Sequence, residues 1–194
     1  MNKNYFELAD RMYDLCIPLI FECAKGNLTI REFCKSMSPQ LEKIIGWNIS
    51  TELEPFVGEY LNFYCSANRH ETMINASSFA PYWMYVSDSP FCLHRHGSLN
   101  GLVFRFDDPF WNRYYVPNSW GCCCHIRNFT EIELNQKQHR FLKKGERLPE
   151  IKPPYDINPG KKDWLPVYKK TFIQHFATLL YENENYEWNE EDEY

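Results

Sequence analysis

The residues best suited to bind a metal are Cys122, Cys124, His96 and His125. Thiolate and imidazole are soft ligands that hold tetrahedral zinc, so these side chains could join a loop to a sheet through a structural zinc ion. Their Cys-x-Cys spacing is less specific than the paired Cys-x-x-Cys knuckles typical of zinc sites. In the alternative interpretation the thiols are small apolar groups buried beside Trp120. The sequence leaves both interpretations open.

Other polar residues in this part of the chain do not form a complete catalytic set. His94 and His96 would share one side of a strand and could act as acid and base with a nearby aspartate, but no nucleophile accompanies them. Asp107 and Asp108 precede a Pro-Phe turn, which such residues usually cap with their own carboxylates. A zinc-dependent enzyme acting on nucleic acid or nucleotides stays an alternative, although the zinc-deaminase pattern of His-x-Glu and Pro-Cys-x-x-Cys is absent.

The elements that would position these residues begin with helices, which occupy the first third of the chain. Residues 5–25 place apolar side chains on one helical face, where Pro18 predicts a kink or an early end. Apolar residues also recur every three or four positions after a Ser-Thr cap at residues 50–51, which predicts a longer helix running toward Ala76.

Between these two helices the sequence predicts two short ones. Thr29 and Glu32 form a capping box that opens the first. Ser38 and Pro39 supply a cap and a first-turn proline for the second, which ends at Gly46.

From residue 80 onward the pattern is that of short strands. Residues 82–86 alternate, residues 102–106 form a short apolar run, and residues 125–134 alternate again. Five prolines within residues 148–166 exclude regular structure there and predict an ordered loop, and a last helix is expected at residues 167–181. The fold class is therefore α+β: a helical N-terminal third, a small and mostly antiparallel sheet, a long proline-rich loop and a C-terminal helix.

Composition and charge set further limits. The chain has 194 residues, 44% of them hydrophobic, which is enough for one compact domain with a frayed end. It has no long apolar window and no basic-then-apolar start, so a soluble protein without membrane contact is expected. The net charge is −5 without a Lys/Arg cluster, which disfavours direct nucleic-acid binding. Eight unevenly spaced cysteines in such a protein favour reduced thiols.

Several short motifs follow one another between Ala80 and Cys124, with one more farther along. In order they are Tyr82-Trp83 before Asp88, His96 five residues before Gly101, Asp107-Asp108-Pro109-Phe110-Trp111, Pro117-Asn118, Trp120, Cys122 and Cys124, and finally Asn158-Pro159-Gly160. In this order and spacing they resemble the core of the phage Mu F-like head morphogenesis proteins, over about half of the chain. Three positions depart from the family pattern, where arginine, glycine and arginine are replaced by Leu93, Ser119 and Cys123.

The resemblance implies a minor head protein associated with the portal vertex, acting in capsid assembly or early infection without catalysis. Its partners would be the portal or other head proteins, and its location the bacterial host cytoplasm during assembly and then the virion. The predicted organisation is an unmatched helical region at 1–59, the Mu F-like core at 60–165, a helix at 166–181 and an acidic tail at 182–194. A phage-carried adaptor that binds a host protein is a further alternative.

Overall fold

In the computed structural model, which describes residues 4–87, 89, 92 and 95–184, the first third of the chain is helical. Helix α1 spans Tyr5–Ala24, α2 spans Ile30–Ile45 and α3 spans Glu54–Asn75. The start of α2 is the predicted capping box, in which Thr29 and Glu32 each bind the other's backbone N–H. Its end is Gly46, whose φ of 89° is a left-handed conformation that glycine adopts without strain.

Two prolines that were expected to mark changes in helix structure, Pro18 as a kink or an end and Pro39 as a start, lie inside longer helices. α1 continues through Pro18 and α2 through Pro39, so the early end and the separate helix starting at Ser38 are both wrong. In α2 an unbroken apolar face explains the difference. Three fully buried or nearly fully buried side chains recur along it at four-residue spacing: Phe33, Met37 and Leu41. Their burial outweighs the roughly 3 kcal/mol that an interior proline costs a helix.

The middle of the chain forms a three-stranded antiparallel sheet. Strand β1 is Tyr82–Val86, β2 is Val103–Arg105 and β3 is His125–Phe129, in the order β2-β1-β3. The alternation read in the sequence holds in β1, where Trp83 and Tyr85 are fully buried and their neighbours half-buried. The α+β class with a helical N-terminal third is thus confirmed.

The third strand is shorter than expected because a helix begins within its predicted range. β3 ends at Phe129, and a one-turn helix follows at Glu131–Asn135. Thr130 and Glu133 form a second capping box at its start. The apolar residue Ile132, expected to continue the strand face, is 73% exposed.

Irregular segments and a long helix complete the chain. A 3₁₀ turn occupies Gly97–Leu99, and the short helix α4 occupies Trp111–Tyr114. Residues 136–164 form neither helix nor strand apart from one bridge at Arg140. Numbering the one-turn helix as α5, the last helix α6 spans Leu165–Glu184, so it takes in Pro166 and the start of the predicted acidic tail. The rest of that tail lies outside the described residues.

The described chain divides into two compact units. The first contains the described residues up to Val57 together with those from Tyr168 onward, and the second contains Gly58–Val167. Aromatic rings build the first core, where Phe172 lies 4.8 Å from Phe56 and 5.4 Å from Tyr13 between ring centroids. The C-terminal helix α6 thus groups largely with the N-terminal helices, which the predicted organisation kept apart.

In the second unit, the core lies against one face of the sheet. Trp83 and Tyr85 from β1 and Ile126 from β3 face it, and residues of the following loops pack on them. Its other members are Met73, Cys92, Leu99, Leu102, Phe110, Trp111, Tyr115, Val116, Cys122 and Cys124.

Within the described part of the chain, no helix has the length and apolar character needed to cross a membrane.

Candidate metal centre

Four buried side chains with metal-binding atoms converge in the second unit: Cys92, His96, Cys122 and Cys124. Their ligand atoms all lie within 4.8 Å of one another. Three of the four were candidates from the sequence, and Cys92 was missed. His125, the remaining candidate, does not belong to the group and pairs with Val86 at the start of β3.

The distances within the group suit a tetrahedral ion. His96 Nδ1 lies 3.5 Å from Cys124 Sγ and 3.7 Å from Cys122 Sγ. With zinc–sulfur bonds of about 2.3 Å and zinc–nitrogen bonds of about 2.0 Å, neighbouring sulfur and nitrogen ligands lie roughly 3.6 Å apart. The two segments that carry His96 and the cysteines Cys122 and Cys124 therefore already hold these atoms at the spacing of neighbouring ligands in a tetrahedral site.

Hydrogen bonds within the group favour thiolate at two positions. The Cys122 thiol donates to its neighbours, which lowers the pKa of Cys124 to about 4 and that of Cys92 to about 5 while raising its own pKa. Burial alone would lower the pKa of His96, but the hydrogen bonds and negative charges of Cys124 and Cys92 together outweigh burial and raise the pKa. Thiolate is the form in which cysteine binds metals.

Helix α3 anchors the loop that carries Cys122. The Asn62 side-chain amide donates to the Cys122 carbonyl oxygen at 3.1 Å. The Glu59 carboxylate, 1% exposed, accepts hydrogen bonds from the Gly121 N–H and the Tyr155 hydroxyl, each at 2.9 Å. Burial raises the pKa of Glu59 to about 6. In the sequence, the only weak indication of this contact is that Glu59, a charged residue, stands among the apolar residues of a predicted helix.

The loop before the cysteines is fixed by Asn118. Its side-chain oxygen accepts a hydrogen bond from the Tyr85 hydroxyl at 2.8 Å, and its amide donates to the Tyr115 carbonyl at 3.1 Å. Asn118 is 3% exposed, and the adjacent motif residue Pro117 is also buried. Trp120 is half-buried. These motif residues shape the chain that leads into Cys122.

A second set of motif residues builds the core rather than a reactive site. Trp111 is fully buried, and its indole N–H donates to the Arg105 carbonyl at 2.8 Å. Asp108 accepts the Phe110 N–H at 2.8 Å, as expected of an aspartate before a Pro-aromatic turn. Asn158, 1% exposed, donates to the Trp111 carbonyl and accepts the Gly160 N–H.

Gly160 lies against His70 of α3, a residue that the sequence did not single out. A Cβ atom at Gly160 would lie 2.2 Å from His70 Cγ. The His70 ring packs edge-on against Trp83 and Tyr115, at 5.5 and 5.1 Å between centroids. The Asn-Pro-Gly motif therefore closes over the aromatic core.

The other motif residues lie apart from the four clustered ligands. Tyr82 is half-buried at the start of β1, and Gly101 takes a φ of 76° in the turn before β2. Asp107 is exposed and pairs with Arg105 at 3.2 Å, while Pro109 is exposed. Asp88 lies outside the described residues, as does His94.

The chain is similar to two curated phage and prophage proteins. It is 28% identical over 128 residues to a protein of Escherichia phage Mu named "Putative capsid assembly protein F", an alignment covering 57% of this chain and 29% of the relative. It is 27% identical over 122 residues to the Mu-like prophage FluMu F protein of Haemophilus influenzae, covering 55% and 29%. The chain thus aligns with less than a third of the length of these relatives.

No family model and no solved structure matches the chain. The names of the two curated relatives nevertheless agree with the family that the motif series indicated. The resemblance is therefore confirmed: this chain is a homologue of the Mu F proteins over somewhat more than half of its length.

Proposed function

We propose that this protein acts in phage head assembly as a minor head protein at the portal vertex, without catalysis. It would contact the portal or other head proteins in the host cytoplasm during assembly and then remain in the virion. The observation that carries the proposal is the homology to a protein named for capsid assembly in phage Mu.

The roles of the motif residues support a scaffold rather than an enzyme. Trp83, Trp111, Asn118 and Asn158 are all buried. The side chains of the two asparagines and Trp111 donate hydrogen bonds to backbone carbonyl groups of the protein. Such residues maintain a shape, which is what an assembly protein presents to its partners.

We further propose that Cys92, His96, Cys122 and Cys124 hold one structural zinc ion. Three thiolates and one imidazole form a closed Cys₃His set, the type found in structural zinc sites. The ion would tie the segment before Gly97 to the loop that leads into β3. This refines the zinc site expected from the sequence, because Cys92 takes the place assigned to His125.

The same geometry argues against a catalytic zinc. A catalytic ion keeps one coordination position open and needs a nearby base. Here four protein ligands would fill the tetrahedron, and the Glu59 carboxylate already accepts hydrogen bonds from the Gly121 N–H and the Tyr155 hydroxyl.

Elemental analysis of the purified protein tests the zinc site. We expect about one zinc per chain, lost in Cys92→Ser and in Cys124→Ser. Two variants serve as controls: His125→Ala removes the residue outside the cluster, and Cys65→Ser removes an exposed thiol. Both should keep the metal. Zinc loss in His125→Ala with retention in Cys92→Ser would reject the ligand set.

Deletion of the gene from the phage or prophage that encodes it tests the assembly role. We expect electron micrographs of lysates to show absent or aberrant heads, restored by a plasmid copy. A tagged copy should purify with the portal or another head protein. Normal heads, together with capture of a host protein alone, would favour the adaptor alternative.

A further inference from the structure

Cys123 is the one cysteine of the 122–124 run that faces outward, and it touches a metal-binding candidate. Its side chain is exposed, whereas Cys122 and Cys124 are buried. Cys123 Sγ lies 3.1 Å from Cys92 Sγ, and the Cys123 N–H donates to the same sulfur at 3.2 Å. Cys92 therefore belongs to the four-ligand group and also contacts the exposed thiol of Cys123.

We propose that Cys92 and Cys123 form a reversible disulfide that competes with metal binding at the Cys₃His site. The inference rests on the proposed zinc site. One sulfur cannot serve both as a thiolate ligand and as half of a disulfide, so oxidation removes one of four ligands. The exposed Cys123 makes the pair accessible to an oxidant, while the buried Cys92 transmits the change to the site.

The oxidant in this scheme is hydrogen peroxide. The Cys123 sulfur attacks one peroxide oxygen, the O–O bond breaks, and a sulfenic acid and one water result. The Cys92 sulfur then attacks the Cys123 sulfur, the S–O bond breaks, and the oxygen leaves as a second water. In the zinc-loaded protein the bond between Cys92 and the ion would break in this step. In balance, one thiol, one thiolate ligand, one proton and one hydrogen peroxide give one disulfide and two waters, and the ion is left with three protein ligands. A dithiol reductant reverses the oxidation by thiol–disulfide exchange.

The position of Cys123 is also a departure from the family pattern, in which arginine stands between the two cysteines. Arginine cannot form a disulfide, so the competition would be a property of this chain rather than of the resemblance. Oxidation of this pair leaves the other three ligands chemically unchanged, so reduction of the disulfide restores the complete ligand set.

The test compares the zinc-loaded wild-type protein with Cys123→Ser, which keeps all four ligands. Both are treated with hydrogen peroxide while a colorimetric chelator reports released zinc. Peptide mass spectrometry then maps the disulfides. We expect the wild type to release zinc about tenfold faster than Cys123→Ser, with a Cys92–Cys123 disulfide, and to rebind zinc after reduction.

Four results would overturn the proposal. Equal release rates in the two proteins would show that Cys123 takes no part, and a disulfide confined to other cysteines would assign the wrong pair. A wild-type protein purified reduced and without zinc would reject the structural zinc site, and the competition with it. Loss of zinc from untreated Cys123→Ser would instead make Cys123 a ligand, which rejects the ligand set before oxidation is considered.

Discussion

Gly160 illustrates how one motif residue is selected by the space around it. A Cβ atom there would lie 2.2 Å from Cγ and 2.3 Å from Cβ of His70, atoms near the backbone of α3 that cannot swing away. We expect Gly160→Ala to lower the free energy of unfolding by roughly 1–3 kcal/mol, as overpacking does in cores. Urea denaturation monitored by tryptophan fluorescence would measure the loss.

Gly58→Ala is the matched control for this substitution. Gly58 lies in α3, the helix that carries His70, but a Cβ atom at Gly58 meets nothing within 4 Å. Replacing a helical glycine by alanine should raise stability by up to about 1 kcal/mol. An equal loss in both variants would show that the clash with His70 is not the cause.

The buried carboxylate of Glu59 predicts a pH dependence of stability. Its pKa is about 6 in the folded protein and 4.5 ordinarily, so between these pH values the folded state holds more protons than the unfolded state. The free energy of unfolding therefore falls as pH rises through this window, by roughly 2 kcal/mol in total from this group.

Glu59→Gln removes this titration while keeping partners for both neighbours, since the amide oxygen can accept the Gly121 N–H and the amide N–H can donate to Tyr155. We expect the fall between pH 4.5 and 6 to be about 2 kcal/mol smaller in the variant. Chemical denaturation at intervals of half a pH unit would give both curves. Parallel curves for the two proteins would contradict the assignment.

At the scale of elements, local pattern predicted most helices and strands but misjudged their ends. The capping box at Thr29 and the alternation of residues 82–86 are signals contained within a few residues, and both elements formed as expected. The box at Thr130 was equally local, yet the alternation of residues 125–134 concealed it. The strand β3 and the one-turn helix α5 both lie within these alternating residues, and the capping box at Thr130 marks where the strand ends and the helix begins.

Pro39 shows an element whose formation depends on burial rather than on propensity. It is exposed inside α2 and donates no hydrogen bond to the turn before it. We expect Pro39→Ala to raise the free energy of unfolding by about 1–3 kcal/mol, measured as a higher melting temperature. The control is Pro55→Ala, since Pro55 is exposed in the first turn of α3, where a missing N–H costs nothing. Similar increases in melting temperature in the Pro39→Ala and Pro55→Ala variants would refute the explanation that the interior position of Pro39 is what costs stability.

At the scale of the molecule, the metal centre depends on contacts that sequence spacing cannot reveal. Cys92 lies thirty positions before Cys122, in a segment without a recognisable motif, and only folding brings the two together. His125 was the obvious candidate because it adjoins the cysteine run, but its place in β3 directs it elsewhere. Glu59 and Tyr155 are still farther apart in the chain and meet only in the folded second unit.

All four proposed ligands belong to the second unit, so metal removal should weaken that unit selectively. The sheet of this unit is small, so it depends more on other contacts for its stability. The ion would supply one such contact, because it would join the segment containing Cys92 and His96 to the start of β3. We expect chelation to speed amide hydrogen exchange at least tenfold in peptides from β1 and β3, equivalent to about 1.4 kcal/mol, while peptides from α1 and α2 keep their rates. Cys92→Ser without chelator should reproduce the pattern, and His125→Ala should not. A uniform increase over both units would instead indicate that the metal stabilises the whole protein, and no increase would mean that the site contributes nothing to the fold.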